Sequence, residues 1–385
     1  MNSGFDFLST TSSTVMKFLR LTCWLTLGTL IISGCRHNDT SRDLQQVRKT
    51  ASALVETNGY PAALAVQVSP TSRAFSIKGA RTAGGDAVTA SDAFPMGSIT
   101  KSMTATLAAI LVQEGVIGWN TKLVDTIPDL QPFALEEYRA VTLFDLLAHR
   151  GGIFAATSPD QIALLPGFTG TPAEQRLQLL IWATQQAPEI IPGVETEYSN
   201  GGYIAAAAML EQVTQRPYET LLQDKLFGPL NVQVSFGSPG SNAQEPQGHW
   251  TSDGQHWQSV DPADPDVEFP AFANPAGGAK LNGDALARYL QLHLNALLGK
   301  TGLLLTPDAA LFLHTEVENG FALGWISGAD LSGTALTWHN GSDDFSYSAL
   351  MAVSKSKKSG VAVVVTGYRD TTAAETSQAL LDMLN

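Results

Sequence analysis

Cysteine is almost missing from this 385-residue chain, with only Cys23 and Cys35 present. A disulfide framework and a cysteine-rich metal site are therefore excluded. Basic residues are scarce too: 23 Lys and Arg stand against 36 Asp and Glu, for a net charge of −13. That balance does not suit a nucleic-acid binder, which gains affinity by neutralising phosphates with Lys and Arg. There is no internal repeat, no low-complexity tract and no long Pro- or Ser-rich linker. His-Glu-x-x-His and Gly-x-Ser-x-Gly are absent, which argues against a zinc protease helix and an α/β-hydrolase elbow. The composition, 44% apolar and 15% charged, is that of a core-forming chain of one large domain or two intimately built ones.

The first 34 residues read as an address. Met16-Lys17-Phe18-Leu19-Arg20 is a short basic stretch, residues 21–34 are uncharged and mostly apolar, and Ile32-Ser33-Gly34-Cys35 ends the segment with small residues before a cysteine. This is a signal-peptide layout, and its end resembles a bacterial lipobox. A membrane anchor is the competing reading, but the run falls short of the ~20 apolar residues that span a bilayer. The start is Met1 or Met16. Cleavage would leave a lipid-bearing Cys35 at the head of a tether over 35–44, facing the periplasm or the outer cell surface. Removal of Lys17, Arg20 and Asp6 would leave 21 basic against 35 acidic residues, a net −14. The expected partners are this membrane anchor and a small-molecule or peptide substrate, with no nucleic acid, metal or cofactor.

Residues 42–57 have helical spacing at Leu44, Val47, Ala51, Leu54 and Val55. Ala63–Val68 and Arg73–Lys78 read as a strand hairpin, and Ser98–Gln113 as a long apolar helix. Residues 125–270 read as mainly helical with long loops. Strands are expected again at Phe321–Ile326, Leu336–His339, Tyr347–Val353 and Val361–Thr366, before a last helix over 372–384. Strands at both ends with helices between predict an α+β fold, an antiparallel sheet flanked by helices with an inserted helical part. The expected unit is 45–385, with an α/β part over 45–124 and 275–385 and a helical part over 125–274.

Ser98-Ile99-Thr100-Lys101 sits where an extended stretch turns into a helix, which places Lys101 on the serine's face one turn later. Alone, such a tetrad is more readily a plain N-cap serine, and a second one, Ser354-Lys355-Ser356-Lys357, has no such setting. Tyr198-Ser199-Asn200 follows Pro192-Gly193, and His339-Asn340-Gly341-Ser342 lies on a strand near the C-terminus. Three elements in this order correspond to Ser-x-x-Lys, Ser-Asp-Asn and Lys-Thr-Gly. With Leu146–Gly152, Pro275–Gly278 and Phe321–Trp325, the chain from about residue 45 resembles the β-lactamase-related serine hydrolases: class C β-lactamases, DD-peptidases, D-aminopeptidases and bacterial esterases. The resemblance implies a cleft between a sheet part and a helical part, with Ser98 acylated and Lys101 and Tyr198 moving its proton. Which of the two is the main base stays open. Asn200 is implied to bind Lys101 or substrate, and Ser98 and Ser342 to supply oxyanion N–H groups. Gly341 would leave room for the substrate backbone, and His339 would be a hydrogen-bond donor on the site wall. His149 is assigned a structural part.

Two departures bear on substrate. His339 stands in place of a lysine, and Asp343-Asp344 follows Ser342. Both disfavour an anionic substrate terminus and favour neutral esters or amine-bearing peptides. The alternatives are a β-lactamase, a penicillin-binding or sensor protein that turns over slowly, or a non-catalytic envelope lipoprotein.

Overall fold

A computed structural model describes residues 41–264, 267–329 and 333–385. The signal segment, Cys35 and most of the tether lie outside the described residues.

Six antiparallel strands form the main sheet, in the order β2-β1-β11-β10-β9-β8. They are β1 (Ala62–Val68), β2 (Arg73–Gly79), β8 (Ile326–Ala329), β9 (Ala335–Ser342), β10 (Ser348–Ser354) and β11 (Ser359–Val365). The first and last strands pair inside it, as its second and third strands, with Ala63 opposite Val365 and Val68 opposite Gly360. A small second sheet joins β3 (Phe94–Pro95), β7 (Ala279–Leu281) and β4 (Ser235–Phe236). A hairpin joins β5 (His249–Trp250) to β6 (Gln258–Ser259).

Strand alternation sorts the side chains. Ala63, Ala65, Val361, Val363 and Val365 face helix α1 (residues 41–57) and the C-terminal helix, with Val47, Ala51, Leu54, Leu380 and Met383 in one cluster. Leu64, Val66, Val68, Ala362 and Val364 face the other way, into the main core. Strands buried on both faces are near-continuously apolar, as Ala-Ala-Leu-Ala-Val-Gln-Val is over Ala62–Val68. The main core includes helix α2 (Thr100–Gln113), buried at every residue from Thr100 to Leu111. A helix without an exposed face belongs inside a protein. Beyond α2 stand helix α3 (Pro172–Ala183) and the Ala-rich helix α4 (Asn200–Thr214).

One expected strand is displaced. Phe321–Trp325 forms a turn with isolated bridges, and the strand begins only at Ile326. The cause is contact with α2: Gly324 has φ +77, and a Cβ there would lie 2.7 Å from the carbonyl oxygen of Lys101. β9 also runs past His339 to Ser342. The stretch Gln244–Pro270, without periodicity in the sequence, holds the β5–β6 hairpin, which is tied to the end of the sheet by His249 Nδ1 donating to the Thr366 carbonyl at 2.7 Å.

Candidate active site

Ser98 sits in the 3₁₀ turn Gly97–Ile99 that leads into α2. It is the one partly exposed residue between Phe94 and Leu111. The turn is anchored by Met96 N–H to the Ala279 carbonyl, 2.9 Å, and by Ala279 N–H to Thr100 Oγ1, 3.1 Å. One helical turn on, Lys101 is 0% exposed. Its Nζ lies 3.0 Å from Ser98 Oγ, 2.7 Å from Asn200 Oδ1 and 2.8 Å from the Ala276 carbonyl. None of the three partners is a carboxylate, and burial pulls the amine well below the ordinary lysine value. A neutral amine has two N–H bonds and one lone pair. As an ammonium Lys101 donates to all three partners; as a neutral amine it would give its two N–H bonds to Asn200 and Ala276 and turn its lone pair to the Ser98 hydroxyl.

Asn200 opens α4, and its amide is fixed at both ends. Oδ1 accepts from Lys101, and Nδ2 donates to the Ala156 carbonyl at 2.7 Å. Ser199 caps the helix, with Oγ accepting from Gly202 N–H at 3.0 Å and donating to the Ile153 carbonyl at 3.0 Å. Tyr198 lies with its ring centroid 4.7 Å from Lys101 Nζ. Burial raises its phenol above the ordinary value, and a hydrogen bond with Ser98 draws it part of the way back. Burial thus favours a protonated phenol and a deprotonated amine on the two sides of the serine.

The third wall is the end of β9. β8 pairs only with Ala335–Trp338, so His339–Ser342 has β10 on one side and, among the described residues, no strand on the other. A Cβ on Gly341 would lie 2.0 Å from the Met96 carbonyl oxygen and 2.9 Å from Ser98 N. A Cβ on Gly97 would lie 2.8 Å from Ser342 N. The approach of the protein's own backbone thus already requires the glycine at 341. The contact sets the backbone nitrogens of Ser98 and Ser342, the two donors expected of an oxyanion hole, along the same seam.

His339 departs from its expected role. Its Nδ1 lies 2.6 Å from the Asn340 carbonyl, which can only accept, so Nδ1 carries the proton. Burial, with Lys101 nearby, pulls the imidazole down to about 3. The neutral ring therefore spends its one N–H on the backbone and offers Nε2 as an acceptor, not as a donor. Asn340 is not brought into the site: it shares the opposite strand face with Trp338, which packs towards the C-terminal helix, and is exposed. Asp343 is taken up by the β9–β10 turn, where Oδ1 accepts from the N–H of Phe345, Ser346 and Tyr347 at 3.1, 2.7 and 3.2 Å. Asp344 is exposed and hydrogen-bonded to Tyr368.

The structure thus gathers Ser98, Lys101, Tyr198, Asn200, His339, Gly341 and Ser342. Sequence reasoning missed the Ala276 and Ala156 carbonyls, which as backbone groups leave no residue signature. It also missed the nearness of His149, whose ring lies 4.6 Å from that of Tyr198; its place in Leu146–Gly152 was the available signal.

Comparison with known proteins agrees with this geometry. The Beta-lactamase family model matches residues 47–383. Penicillin-binding protein 4 of Amycolatopsis lactamdurans is 25% identical over 279 residues, covering 70% of this chain and 71% of that protein. A class C β-lactamase structure superimposes with TM-score 0.70 at 17% identity, over 90% of this chain and 96% of that one. A D-stereospecific amidohydrolase from a Streptomyces species gives 0.66 at 22% identity, over 88% and 98%. The chain belongs to the β-lactamase family and is one of its serine hydrolases.

Proposed function

We propose that this protein hydrolyses neutral esters or amine-bearing amides and peptides through an acyl-enzyme at Ser98. The observation that carries the reading is His339, a buried neutral acceptor at the position where a lysine would hold a substrate carboxylate. The likeness to a D-stereospecific amidohydrolase supports the amide side of the proposal.

In this reading Ser98 Oγ bonds to the carbonyl carbon as its proton moves to Lys101, and the oxygen takes up negative charge beneath the Ser98 and Ser342 N–H groups. When the adduct collapses, the bond to the leaving group breaks, and that group departs with the Tyr198 proton. The Lys101 ammonium then reprotonates Tyr198. Water attacks the acyl-enzyme along the same path in reverse, which restores Ser98.

The test is a substrate panel on purified protein: p-nitrophenyl butyrate, D-alanine p-nitroanilide, a D-Ala-D-Ala peptide and nitrocefin, each with wild type and Ser98→Ala. Turnover of the ester or the amide, absent in Ser98→Ala, is expected. Efficient nitrocefin hydrolysis with no esterase activity would overturn the substrate assignment. The second reading, a slow penicillin-binding protein, draws on the relative of that name. It predicts a stable adduct by mass spectrometry without release.

The proposal includes attachment to the bacterial envelope through lipid on Cys35, on the strength of the signal layout over 1–34. Palmitate labelling and membrane fractionation, both lost in Cys35→Ser, are the expected results.

A further inference from the structure

Two imidazoles flank Tyr198, and they are held in opposite tautomers. His339 carries its proton on Nδ1, as its carbonyl partner requires. His149 Nδ1 lies 3.1 Å from the backbone nitrogen of Ser199, whose N–H can only donate. Nδ1 of His149 is therefore bare, and the proton of the neutral ring is on Nε2.

His149 grips its neighbour in two ways. Its acceptor fixes the peptide between Tyr198 and Ser199, and its face lies against the phenol ring at 4.6 Å with a 32° tilt. Its outer sides are closed by the rings of Tyr203 and Phe321, each 5.1 Å away. The residue has φ +60, a left-handed conformation that few non-glycine residues adopt. The backbone is held there by Glu197 N–H donating to the His149 carbonyl at 2.9 Å and Gly193 N–H donating to the Arg150 carbonyl at 2.8 Å. Arg150 also donates to the Gly193 carbonyl and to Glu318 at 3.1 Å, and Glu318 accepts from Thr196 at 2.7 Å. The segment that carries Tyr198 is thus strapped to residues 149–153 on its N-terminal side and at Ser199. Burial, with Lys101 and His339 adding to it, holds His149 well below the ordinary imidazole value, and the other titratable groups facing the ring are the Tyr198 and Tyr203 phenols.

We propose that His149 is the positioning residue for Tyr198, holding the phenol in line with the departing group through a bare Nδ1 and a stacked ring. This rests on the hydrolase reading above, with Tyr198 as the acid for the leaving group.

A residue that acts through a proton donor is exposed by leaving-group dependence. A p-nitrophenolate leaves with little help, whereas an alkoxide or amine needs the proton, and a general acid typically contributes ~10²–10⁴-fold. His149→Leu is expected to lower kcat/KM for a methyl ester or an amide roughly 10²-fold, and for the p-nitrophenyl ester of the same acid only a few-fold. In a Tyr198→Phe background the same change should cost little, because the two residues act as one unit. His149→Asn, which retains an acceptor and tolerates positive φ, should recover most of the lost rate. Equal losses for both leaving groups, or full cost in the Tyr198→Phe background, would overturn the proposal. ¹⁵N NMR of imidazole-labelled wild type reads the tautomer without any variant: a protonated Nδ1 on His149 also overturns it. Should wild type turn over none of the substrates, the hydrolase reading falls while the spectrum still decides the Ser199–His149 bond.

Discussion

Gly97 and Gly341 meet backbone to backbone, so that a β-carbon on either would enter the other segment: 2.8 Å from Ser342 N in one case, 2.0 Å from the Met96 carbonyl oxygen in the other. Gly341→Ala must push β9 away from the Ser98 turn, and with it the Ser342 N–H. Loss of one oxyanion donor typically costs ~10²–10³ in rate, and overpacking costs about 1–3 kcal/mol of stability. The expected outcome is a fall in kcat of that order with KM little changed, and a lower melting temperature. Wild-type kcat in a folded Gly341→Ala protein would show that Ser342 N–H does not hold the oxyanion.

Lys101 and Asn200 form the second relationship. A guanidinium does not release its proton, so Lys101→Arg should lose roughly 10²–10⁴ of the acylation rate. Asn200→Asp makes a sharper test, because it sets a carboxylate against a buried amine that has none among its three partners. An opposite charge at this range stabilises the ammonium by about one to three pKa units. With Lys101 as the base the reaction needs the neutral amine, so the acid limb of the kcat/KM profile should move to higher pH by that amount. An unmoved limb would take the base role from Lys101.

The site was legible because its chemistry sits on local pattern. A serine at a helix start fixes Lys101 one turn later, a capping serine places Asn200, and alternation along β9 puts His339 and Gly341 on one face. The signal gave out wherever the decisive atom is backbone or the partner is remote. The Ala276 carbonyl is held through Thr104 Oγ1 donating to the Pro275 carbonyl at 2.7 Å, a contact 171 residues apart in sequence. Arg176, 0% exposed, binds Glu211 at 2.7 and 3.0 Å and donates to the Ala271 and Phe272 carbonyls at 3.3 Å, joining α3 and α4 to the segment before Ala276; as a sequence feature it reads only as a helix-surface charge. The displaced strand at Phe321–Trp325 failed for a similar reason: its apolar pattern is real, but contact with α2 bends it.

Five buried histidines among the described residues are expected to make the fold acid-sensitive. His249 is held down to about 4, His293 and His339 to about 3, and His149 and His314 well below the ordinary value, in every case chiefly by burial. Once unfolded each titrates near ~6.5. Between that value and the folded ones the unfolded chain binds more protons, so stability rises with pH there. Their contribution is complete above about pH 6.5 and is lost as pH falls towards the folded values, at up to ~1.4 kcal/mol per pH unit for each histidine. Calorimetric melting temperatures should therefore decline from pH 7 to 5, and His249→Gln should flatten the slope. A flat wild-type profile over that interval would contradict the neutral, buried state assigned to these rings.

On the proposed reading, His339 governs whether the cleft welcomes a carboxylate. The ring centroids of His339 and Tyr198 are 6.4 Å apart, and strand alternation turns both His339 and Gly341 towards Ser98. His339→Lys would place an ammonium there. Hydrogen bonds to charged groups are worth ~1.5–3 kcal/mol, so discrimination for a substrate carboxylate should rise about 10- to 100-fold. The same charge favours ionisation of Tyr198 and deprotonation of Lys101, since nearby positive charge lowers both pKa values. The expected result is a gain in nitrocefin kcat/KM relative to p-nitrophenyl butyrate, with the acid limb of the profile moved to lower pH. A folded His339→Lys protein that gains nothing on nitrocefin would mean that substrate charge is read elsewhere in the cleft. The neutral histidine would then not be the source of the proposed preference for neutral substrates.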